Sequence, residues 1–269
     1  MRLSAYIVLV LLLVTASCSK FRKIQKSGDW ELKYEAAMNY YQEEEYYKAS
    51  VLFEEIIPII RGSEKAEKAQ FYFAYSYYHQ KQYILAAHYF ETFYRTYSRS
   101  DFAHEAMFMH AYSLYLQSPK YNLDQSSTYE AVQAMQNFLN KFPQSEFRKQ
   151  GTDIIDELQR KLENKAYENA KQYHKLRRYK AALISFDNFR RDFPDSKLVE
   201  EIIYLQIDAQ FKLADASIIS KKKERYYETI EMYEEFVDNY PESKFVKPAG
   251  NIYEDSITQI GKLSKNGNY

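Results

Sequence analysis

A short corner motif recurs through the sequence and divides it into comparable pieces. It consists of an aromatic residue, a proline, a variable residue and a serine, and it stands at residues 142–145, 193–196 and 240–243, with a proline-free copy at 97–100. Because proline lacks an amide hydrogen and clashes with the preceding turn, a helix ends at or before the aromatic residue. The serine hydroxyl is a typical cap for the helix that follows. The motif therefore predicts helices joined by tight corners.

Upstream of each corner, a small residue is followed four positions later by a large one. The pairs are Ala49 and Phe53, Ala86 and Phe90, Ala131 and Met135, Ala182 and Phe186, and, more weakly, Thr229 and Tyr233. In the last three copies a proline follows twelve residues after the small residue, as in tetratricopeptide repeats. The small residue lets paired helices approach, and the large one fills the space between successive pairs. We predict an all-α tetratricopeptide-repeat solenoid of about five helical hairpins with a C-terminal capping helix.

The composition excludes several classes of function. Lys and Arg number 37 and Asp and Glu number 37, so the formal net charge is zero and no nucleic-acid partner is expected. His104 and His110 are six residues apart, whereas two zinc ligands of a metalloprotease helix are four apart. The sequence also has no glycine-rich phosphate loop. We therefore expect no enzymatic activity, no cofactor and no metal site.

The first residues form a secretory signal. Arg2 supplies a positive start, residues 7–14 are apolar and residues 15–17 are small. The apolar run is shorter than the roughly 20 residues that span a bilayer. Cys18, the only cysteine, follows directly, and this arrangement resembles the lipobox of bacterial lipoproteins. The resemblance implies cleavage before Cys18 and its lipidation; the alternative is an ordinary secretory signal with an incidental thiol.

Segment boundaries follow from these marks. We assign residues 1–17 to a signal peptide and residues 18–29 to a lipidated tether. Residues 30–145 form repeats one to three, and residues 146–244 form a long connector helix with repeats four and five. Residues 245–269 form a capping helix and its tail. The basic residues of the tether are candidates for contact with anionic head groups, or are merely solvated: Lys20, Arg22, Lys23 and Lys26.

Some repeats are longer than the minimal unit, and the extra residues need a place. Residues 146–175 contain no proline and keep helical apolar spacing, so we expect one long helix there. We expect a loop at residues 118–127 and another around 217–225, where three lysines follow one another. In the final helix we expect one apolar stripe of Tyr253, Ile257 and Ile260.

The first helix of each tetratricopeptide repeat commonly lines a peptide-binding groove, at positions five, nine and twelve of the repeat. These positions share one helix face. In repeats one to three they are Tyr34, Met38, Tyr41, Phe71, Tyr75, Tyr78, Phe108, Tyr112 and Tyr115. In repeat four they are Tyr167, Lys171 and His174, which predicts a turn from an aromatic to a partly basic surface. The alternative is that neighbouring repeats bury these aromatic rings as core.

The chain as a whole resembles the BamD family, the tetratricopeptide lipoproteins of the bacterial outer-membrane β-barrel assembly machinery. The resemblance rests on Cys18, on the five-repeat array, and on residues 122–147 followed by a long helix. It implies a lipid-anchored scaffold on the periplasmic face of the outer membrane.

The same resemblance implies partners: the periplasmic domains of the barrel-forming subunit, and unfolded outer-membrane proteins as clients whose last strand is amphipathic with an aromatic end. Residues 30–145 would be the client-binding half and residues 146–244 the scaffold half. Other envelope lipoproteins with this repeat remain alternatives, such as a Tol-Pal-associated cell-division coordinator or a glycan-binding uptake lipoprotein.

Overall fold

The computed structural model of the chain describes residues 20–266, within which every regular element is helical. Residues 20–25 are helical, and the helices that follow are α1 (Trp30–Gln42), α2 (Tyr46–Ile56), α3 (Glu64–His79), α4 (Tyr83–Thr96), α5 (Ala103–Gln117), α6 (Ser126–Lys141), α7 (Arg148–Lys175), α8 (Tyr179–Asp192), α9 (Val199–Asp215), α10 (Ile219–Asn239) and α11 (Val246–Asn266). The predicted all-α fold is confirmed. The signal peptide and Cys18 lie outside the described residues.

Two compact units divide the chain, Met1–Leu158 and Gln159–Tyr269, and the boundary falls within α7. In the first unit, each of the helices α1 to α5 packs against the next one along the chain, and α1 also contacts α3. In the second unit, α8, α9, α10 and α11 pack in the same sequential way, and α11 also contacts α9. The predicted succession of helical hairpins is therefore present, and α11 covers the end of the second unit as a cap.

The predicted pairs of small and large residues lie at the centre of these cores. In the first four pairs neither side chain has exposed surface: Ala49 and Phe53, Ala86 and Phe90, Ala131 and Met135, and Ala182 and Phe186. In the fifth pair Thr229 is fully buried, whereas Tyr233 is only half-buried. Burying one large apolar side chain contributes roughly 1.5–3 kcal/mol. The regular spacing of these pairs therefore contributes to the stability of each hairpin.

The corners form as predicted. Helices α4, α6, α8 and α10 end directly before the aromatic residue of each corner. The serine hydroxyl then accepts a hydrogen bond from the amide two residues later, at 3.0 Å for Ser100, Ser145 and Ser196 and at 3.3 Å for Ser243. This bond satisfies one of the free amides that every helix start leaves. The first helix of the following repeat begins three residues after the serine, so the hydroxyl caps the turn that leads into that helix.

The same serine also reaches back to the preceding repeat. Ser100 donates to Glu67 on α3, and Ser196 donates to Glu163 on α7. At the equivalent place the Ser145 hydroxyl lies 2.7 Å from His104 Nε2. One side chain therefore caps a new helix and holds it against the first helix of the repeat before.

The turn inside three of the hairpins has a left-handed residue without a glycine. Glu44, Lys81 and Arg177 have φ values of 60°, 60° and 56°. In each case the following amide donates to the carbonyl five residues earlier, which is the Schellman closure of a helix end. Glycine is the residue favoured at this position, so local composition alone does not reveal these turns.

The long predicted helix over residues 146–175 is present as α7. Its single glycine, Gly151, faces Met135 and Leu139 of α6. A Cβ atom at this position would stand 3.0 Å from Leu139 Cδ2 and 3.1 Å from Met135 Sδ. A side chain at residue 151 would therefore press on Leu139 and Met135, and the glycine avoids this contact although it lowers the intrinsic helix propensity by about 1 kcal/mol.

Two expectations about length and pattern need correction. The lysine run of residues 221–223 is not in a loop, because α10 begins at Ile219 and includes it. Lysine is a good helix former, and a lysine run indicates exposure without indicating a loop.

In α11 the buried residues are Ala249 and Ser256, whereas Ile257 is 47% exposed. The predicted stripe through Ile257 is therefore wrong. By contrast, the loop expected at residues 118–127 is found between α5 and α6.

The close approach at Gly151 generates a stability prediction. Gly151→Val should lower the free energy of unfolding by about 1–3 kcal/mol, because the added methyl groups overpack the contact with Leu139 and Met135. Gly261→Val is the matched control, since nothing lies within 4 Å of a Cβ at that exposed helical position. Urea unfolding of both variants measures the difference. Equal stability of the two variants would contradict the packing role of Gly151.

Candidate client-binding surface

The first helices of repeats one to three carry a continuous series of aromatic rings. Ring centroids are 6.1 Å apart between Tyr75 and Tyr78, 6.2 Å between Tyr78 and Tyr112, and 5.7 Å between Tyr112 and Tyr115. At the other end, His79 lies 5.9 Å from Tyr75 and 6.0 Å from Tyr41. We call Tyr41, Tyr75, Tyr78, Tyr112 and Tyr115, together with His79, the tyrosine row.

The nine residues predicted to line a groove fall into two groups. Position five of each repeat is buried, with exposures of 7% for Tyr34, 3% for Phe71 and 3% for Phe108. The residues at positions nine and twelve are half-buried and reach the surface: Met38, Tyr41, Tyr75, Tyr78, Tyr112 and Tyr115. Position five therefore belongs to the core, and only positions nine and twelve present accessible ring surface.

Position five is buried because it meets the next corner. Phe71 stacks on Phe102 at 4.6 Å, and Phe108 stacks on Phe147 at 4.3 Å. Phe102 and Phe147 each follow a corner serine by two residues, and Phe245, at the same place after Ser243, stacks on Tyr204 at 5.3 Å. This recurrence of a large residue two places after the serine is visible in the sequence. This recurrence is the sequence feature that predicts burial of position five in the core.

Two tyrosine hydroxyls of the row donate hydrogen bonds to glutamates. The sequence analysis did not single out these glutamates. Tyr75 donates to Glu105, and Tyr115 donates to Glu157 Oε2 at 2.7 Å. The Tyr41 hydroxyl lies 3.4 Å from His79 Nε2. Each contact joins the first helix of one repeat to the first helix of the next. The rings are thus held in place by polar groups at their rim.

These contacts keep the phenols neutral. Burial raises the pKa of Tyr41 and of Tyr75, and for Tyr75 the hydrogen bond and the charge of Glu105 raise the pKa further. The hydrogen bond to Glu157, together with partial burial, raises the pKa of Tyr115 to about 12. Partial burial lowers the pKa of His79. Near neutral pH the row is therefore an uncharged aromatic surface with hydroxyl groups at its edge.

The corresponding surface of the second unit is polar, and its charges are paired. Lys171 Nζ lies 2.6 Å from the Tyr167 hydroxyl and 3.1 Å from Glu201 Oε1. His174 Nε2 lies 2.6 Å from Asp208 Oδ2. The change from aromatic to polar agrees with the prediction for repeat four. The predicted basic character is wrong, because the carboxylates of Glu201 and Asp208 on α9 pair with Lys171 and His174.

A broad depression of about 750 Å³ in the second unit carries unbalanced positive charge. Its lining includes Arg177, Arg178 and Lys180, together with Lys212, which is paired with Asp208 at 2.6 Å. Its one carboxylate, Asp215, accepts the hydroxyl hydrogen bond of Tyr226. The chain segments that form the depression continue into strongly exposed apolar residues, namely Leu176 at 60%, Ile218 at 72% and Ile219 at 78%. We call this depression and its three apolar neighbours the basic corner.

Within residues 20–266 no group of three or more His, Cys, Asp or Glu side chains is arranged to hold a metal ion. Among the same residues, no helix combines the length and the apolar character needed to cross a membrane.

Comparison with known proteins gives one family. The family model described as YfiO, outer membrane lipoprotein, matches residues 28–195, which include the tyrosine row. No curated protein matches the chain. Among solved structures, the apo form of RapI is similar at 16% sequence identity and a TM-score of 0.37, over 94% of this chain and 93% of that chain.

The paired charges of the second unit generate a prediction on pH. Burial raises the pKa of Asp208, but the hydrogen bonds from His174 and Lys212 outweigh this effect and lower the pKa below its usual value. A carboxyl with a lowered pKa stabilises the fold above its unfolded pKa, and this contribution is lost as the pH falls through the folded pKa. As the pH falls from about 5 to about 3, the free energy of unfolding should therefore decrease less in the Asp208→Asn variant than in the unaltered chain.

Thermal unfolding at several pH values measures this difference. Asp192→Asn is a suitable control, because its carboxylate contacts the adjacent Arg191 at the surface. An acid-induced loss of stability that is identical in Asp208→Asn and in the unaltered chain would contradict the role of this contact.

Proposed function

Because this chain belongs to the YfiO family of outer membrane lipoproteins, we propose that it is a non-enzymatic assembly lipoprotein anchored to the periplasmic face of the outer membrane through Cys18. It scaffolds the β-barrel assembly machinery, binding the periplasmic domains of the barrel-forming subunit and unfolded outer-membrane proteins. The observation that carries the proposal is the family match over residues 28–195, a range that includes the tyrosine row.

The tyrosine row supports the client-binding part of the proposal. Alternate side chains on one face of an extended strand are about 6.6 Å apart. The spacing from Tyr75 through Tyr78 and Tyr112 to Tyr115 is 5.7–6.2 Å between successive rings. An amphipathic strand with aromatic or aliphatic residues at every second position can therefore place successive side chains over successive rings. Aromatic contacts of this kind contribute about 0.5–1.5 kcal/mol each beyond the area that they bury.

The chemistry at the rim fits an unfolded strand as well. Such a strand has unpaired backbone amides and carbonyls, which need partners when its apolar side is buried. The hydroxyl oxygens of Tyr75 and Tyr115, whose hydrogens are donated to Glu105 and Glu157, can accept from its amides. The row thus offers an apolar surface and polar partners to the same segment.

The basic corner supports the scaffold part of the proposal. Exposed apolar side chains next to charged ones are typical of surfaces that bind another protein. Leu176, Ile218 and Ile219 are among the most exposed large apolar residues of the described chain. We propose that the barrel-forming subunit contacts the second half of the chain, within residues 146–244, at this place.

The client proposal predicts a selective binding defect. In a Tyr78→Ala, Tyr112→Ala double variant, the affinity for a peptide that copies the last strand of an outer-membrane barrel should fall about tenfold or more, because two stacking surfaces are lost. Tyr47→Ala and Tyr129→Ala are matched controls, since these tyrosines are 67% and 62% exposed outside the row. Fluorescence anisotropy of a labelled peptide measures the affinity. A large drop in melting temperature without selective loss of binding would mean that the two rings are core.

The anchoring proposal predicts a modified N-terminus. Intact-mass analysis of the protein extracted from membranes should show a chain that begins at Cys18 and carries acyl groups, because several acyl chains are needed for stable anchoring. Cys18→Ala should remove the acyl mass and prevent cleavage before residue 18. A mature chain that begins elsewhere, or an unmodified thiol, would refute the anchoring proposal.

Copurification from cells separates the proposed role from its alternatives. Recovery with a large barrel protein that has repeated periplasmic domains supports assembly of outer-membrane proteins. Recovery with Tol components instead would favour a cell-division coordinator. Retention on polysaccharide would favour a glycan-binding uptake lipoprotein.

A further inference from the structure

The segment that precedes α1 differs from the expected tether. Residues 20–25 are helical, and Phe21 and Ile24 pack against the core that α1, α2 and α3 form. The centroid of the Phe21 ring lies 5.7 Å from that of the Tyr40 ring. The side-chain amide of Gln25 donates to Glu55 Oε1 at 3.1 Å. The segment is therefore attached to the first repeat and is not a free linker.

The other side of the segment is a basic face, formed by Arg22, Lys23 and Lys26. The Lys26 amide donates to the Arg22 carbonyl at 3.1 Å, so helical spacing continues to this residue. At about 100° per residue the three side chains lie within one sector of about 100°, opposite the sector of Phe21 and Ile24. All three are exposed. The packing of one side thus presents the charges on the other.

Nothing nearby in the sequence neutralises this face. The chain has no acidic residue before Asp29. The described residues include no ion pair to Arg22, Lys23 or Lys26, and Glu55, which accepts from Gln25, is paired with Lys33 at 2.5 Å. The exposed side chain of Lys20 adds a further positive charge to the same segment. A local excess of positive charge therefore faces solvent.

The position of Cys18 identifies what this face would meet. An extended chain covers at most about 3.6 Å per residue, so Lys20 lies within about 7 Å of Cys18. If Cys18 carries acyl chains, as the proposed function requires, its backbone lies at the head-group layer. That layer is about 5–8 Å thick on each side of the hydrocarbon core. The basic face is then within reach of lipid phosphates.

We propose that the basic face binds the head groups of anionic phospholipids and holds the first repeat against the bilayer. With the lipid anchor alone, the folded repeats could rotate about the short segment that joins them to Cys18. Several phosphate contacts beside the anchor restrict that rotation. Basic residues beside an anionic leaflet attract it within a Debye length, which is about 8 Å at physiological ionic strength. The inference rests on the proposed lipidation of Cys18, and its test separates the two.

The experiment uses the full lipidated chain in vesicles of phosphatidylethanolamine with either phosphatidylglycerol or phosphatidylcholine. Cys18 is the only cysteine of the sequence, and acylation blocks its thiol, so one added cysteine carries a fluorophore selectively. Gly28→Cys is suitable, because a Cβ at this exposed position meets nothing within 4 Å. Quenching by a lipid with a nitroxide on its head group reports how close residue 28 is to the surface.

Quenching should be strong in phosphatidylglycerol vesicles. In an Arg22→Gln, Lys23→Gln, Lys26→Gln variant, or in about 0.5 M salt, it should fall to the level found in phosphatidylcholine vesicles. A Lys221→Gln, Lys222→Gln, Lys223→Gln variant loses the same charge elsewhere and should keep the quenching. Equal quenching in both kinds of vesicle, or no effect of the Arg22→Gln, Lys23→Gln, Lys26→Gln variant, would overturn the proposal.

Intact mass of the same preparation tests the lipidation separately. If Cys18 has no acyl chains, the anchoring proposal fails, and flotation of the protein with phosphatidylglycerol vesicles decides the head-group proposal by itself. Binding about tenfold weaker in the Arg22→Gln, Lys23→Gln, Lys26→Gln variant would support it. Equal binding would overturn it.

Discussion

The structure depends on a small residue and a large one that recur four positions apart on the second helix of each hairpin. Ala49, Ala86, Ala131 and Ala182 are fully buried, and each is followed four residues later by a large side chain that is also fully buried. A methyl group at these positions lets two helices approach, and the large side chain then fills the space toward the neighbouring hairpin. Interiors are packed at crystal-like density, so either side chain can be exchanged only together with its partner. The same requirement explains Gly151, where even a methyl group would crowd Leu139 and Met135.

The corner serine links each repeat to the one before it through hydrogen bonds. Its hydroxyl accepts an amide hydrogen bond from the helix that it begins, and at Ser100 and Ser196 it donates to a glutamate of the preceding repeat. A hydroxyl can do both because it is donor and acceptor at once. Proline ends one helix, serine begins the next, and the large residue two positions later stacks on position five of the repeat before, as Phe102 does on Phe71. Each corner thus positions two successive first helices, whose remaining faces become the surface of the unit.

The surface that results differs between the two units. In the first unit the half-buried tyrosines at positions nine and twelve form an uncharged row, and Glu105 and Glu157 fix two of their hydroxyl groups. In the second unit Lys171 and His174 occupy the equivalent helix face, and Glu201 and Asp208 pair with them. Charged groups in such pairs are partly satisfied before any partner arrives, whereas exposed rings are not. This difference makes the tyrosine row the apolar surface of the first unit and leaves the basic corner as the accessible charged surface of the second.

The sequence by itself determined the helical class, the helix ends at the corners, the buried small and large pairs and the long helix α7, because proline, capping serine and residue spacing act locally. It did not determine which of two apolar faces on a first helix is covered. Phe71 and Tyr75 have similar rings on one helix. Phe71 becomes core because it packs against Phe93 and stacks on Phe102, whereas Tyr75 stays half-buried. Likewise, the charge of residues 221–223 indicated exposure and not a loop. The charge of residues 20–26 suggested a solvated tether, although Phe21 and Ile24 attach this segment to the first repeat. These features depend on contacts between residues far apart in sequence, and such contacts exist only once the repeats have packed.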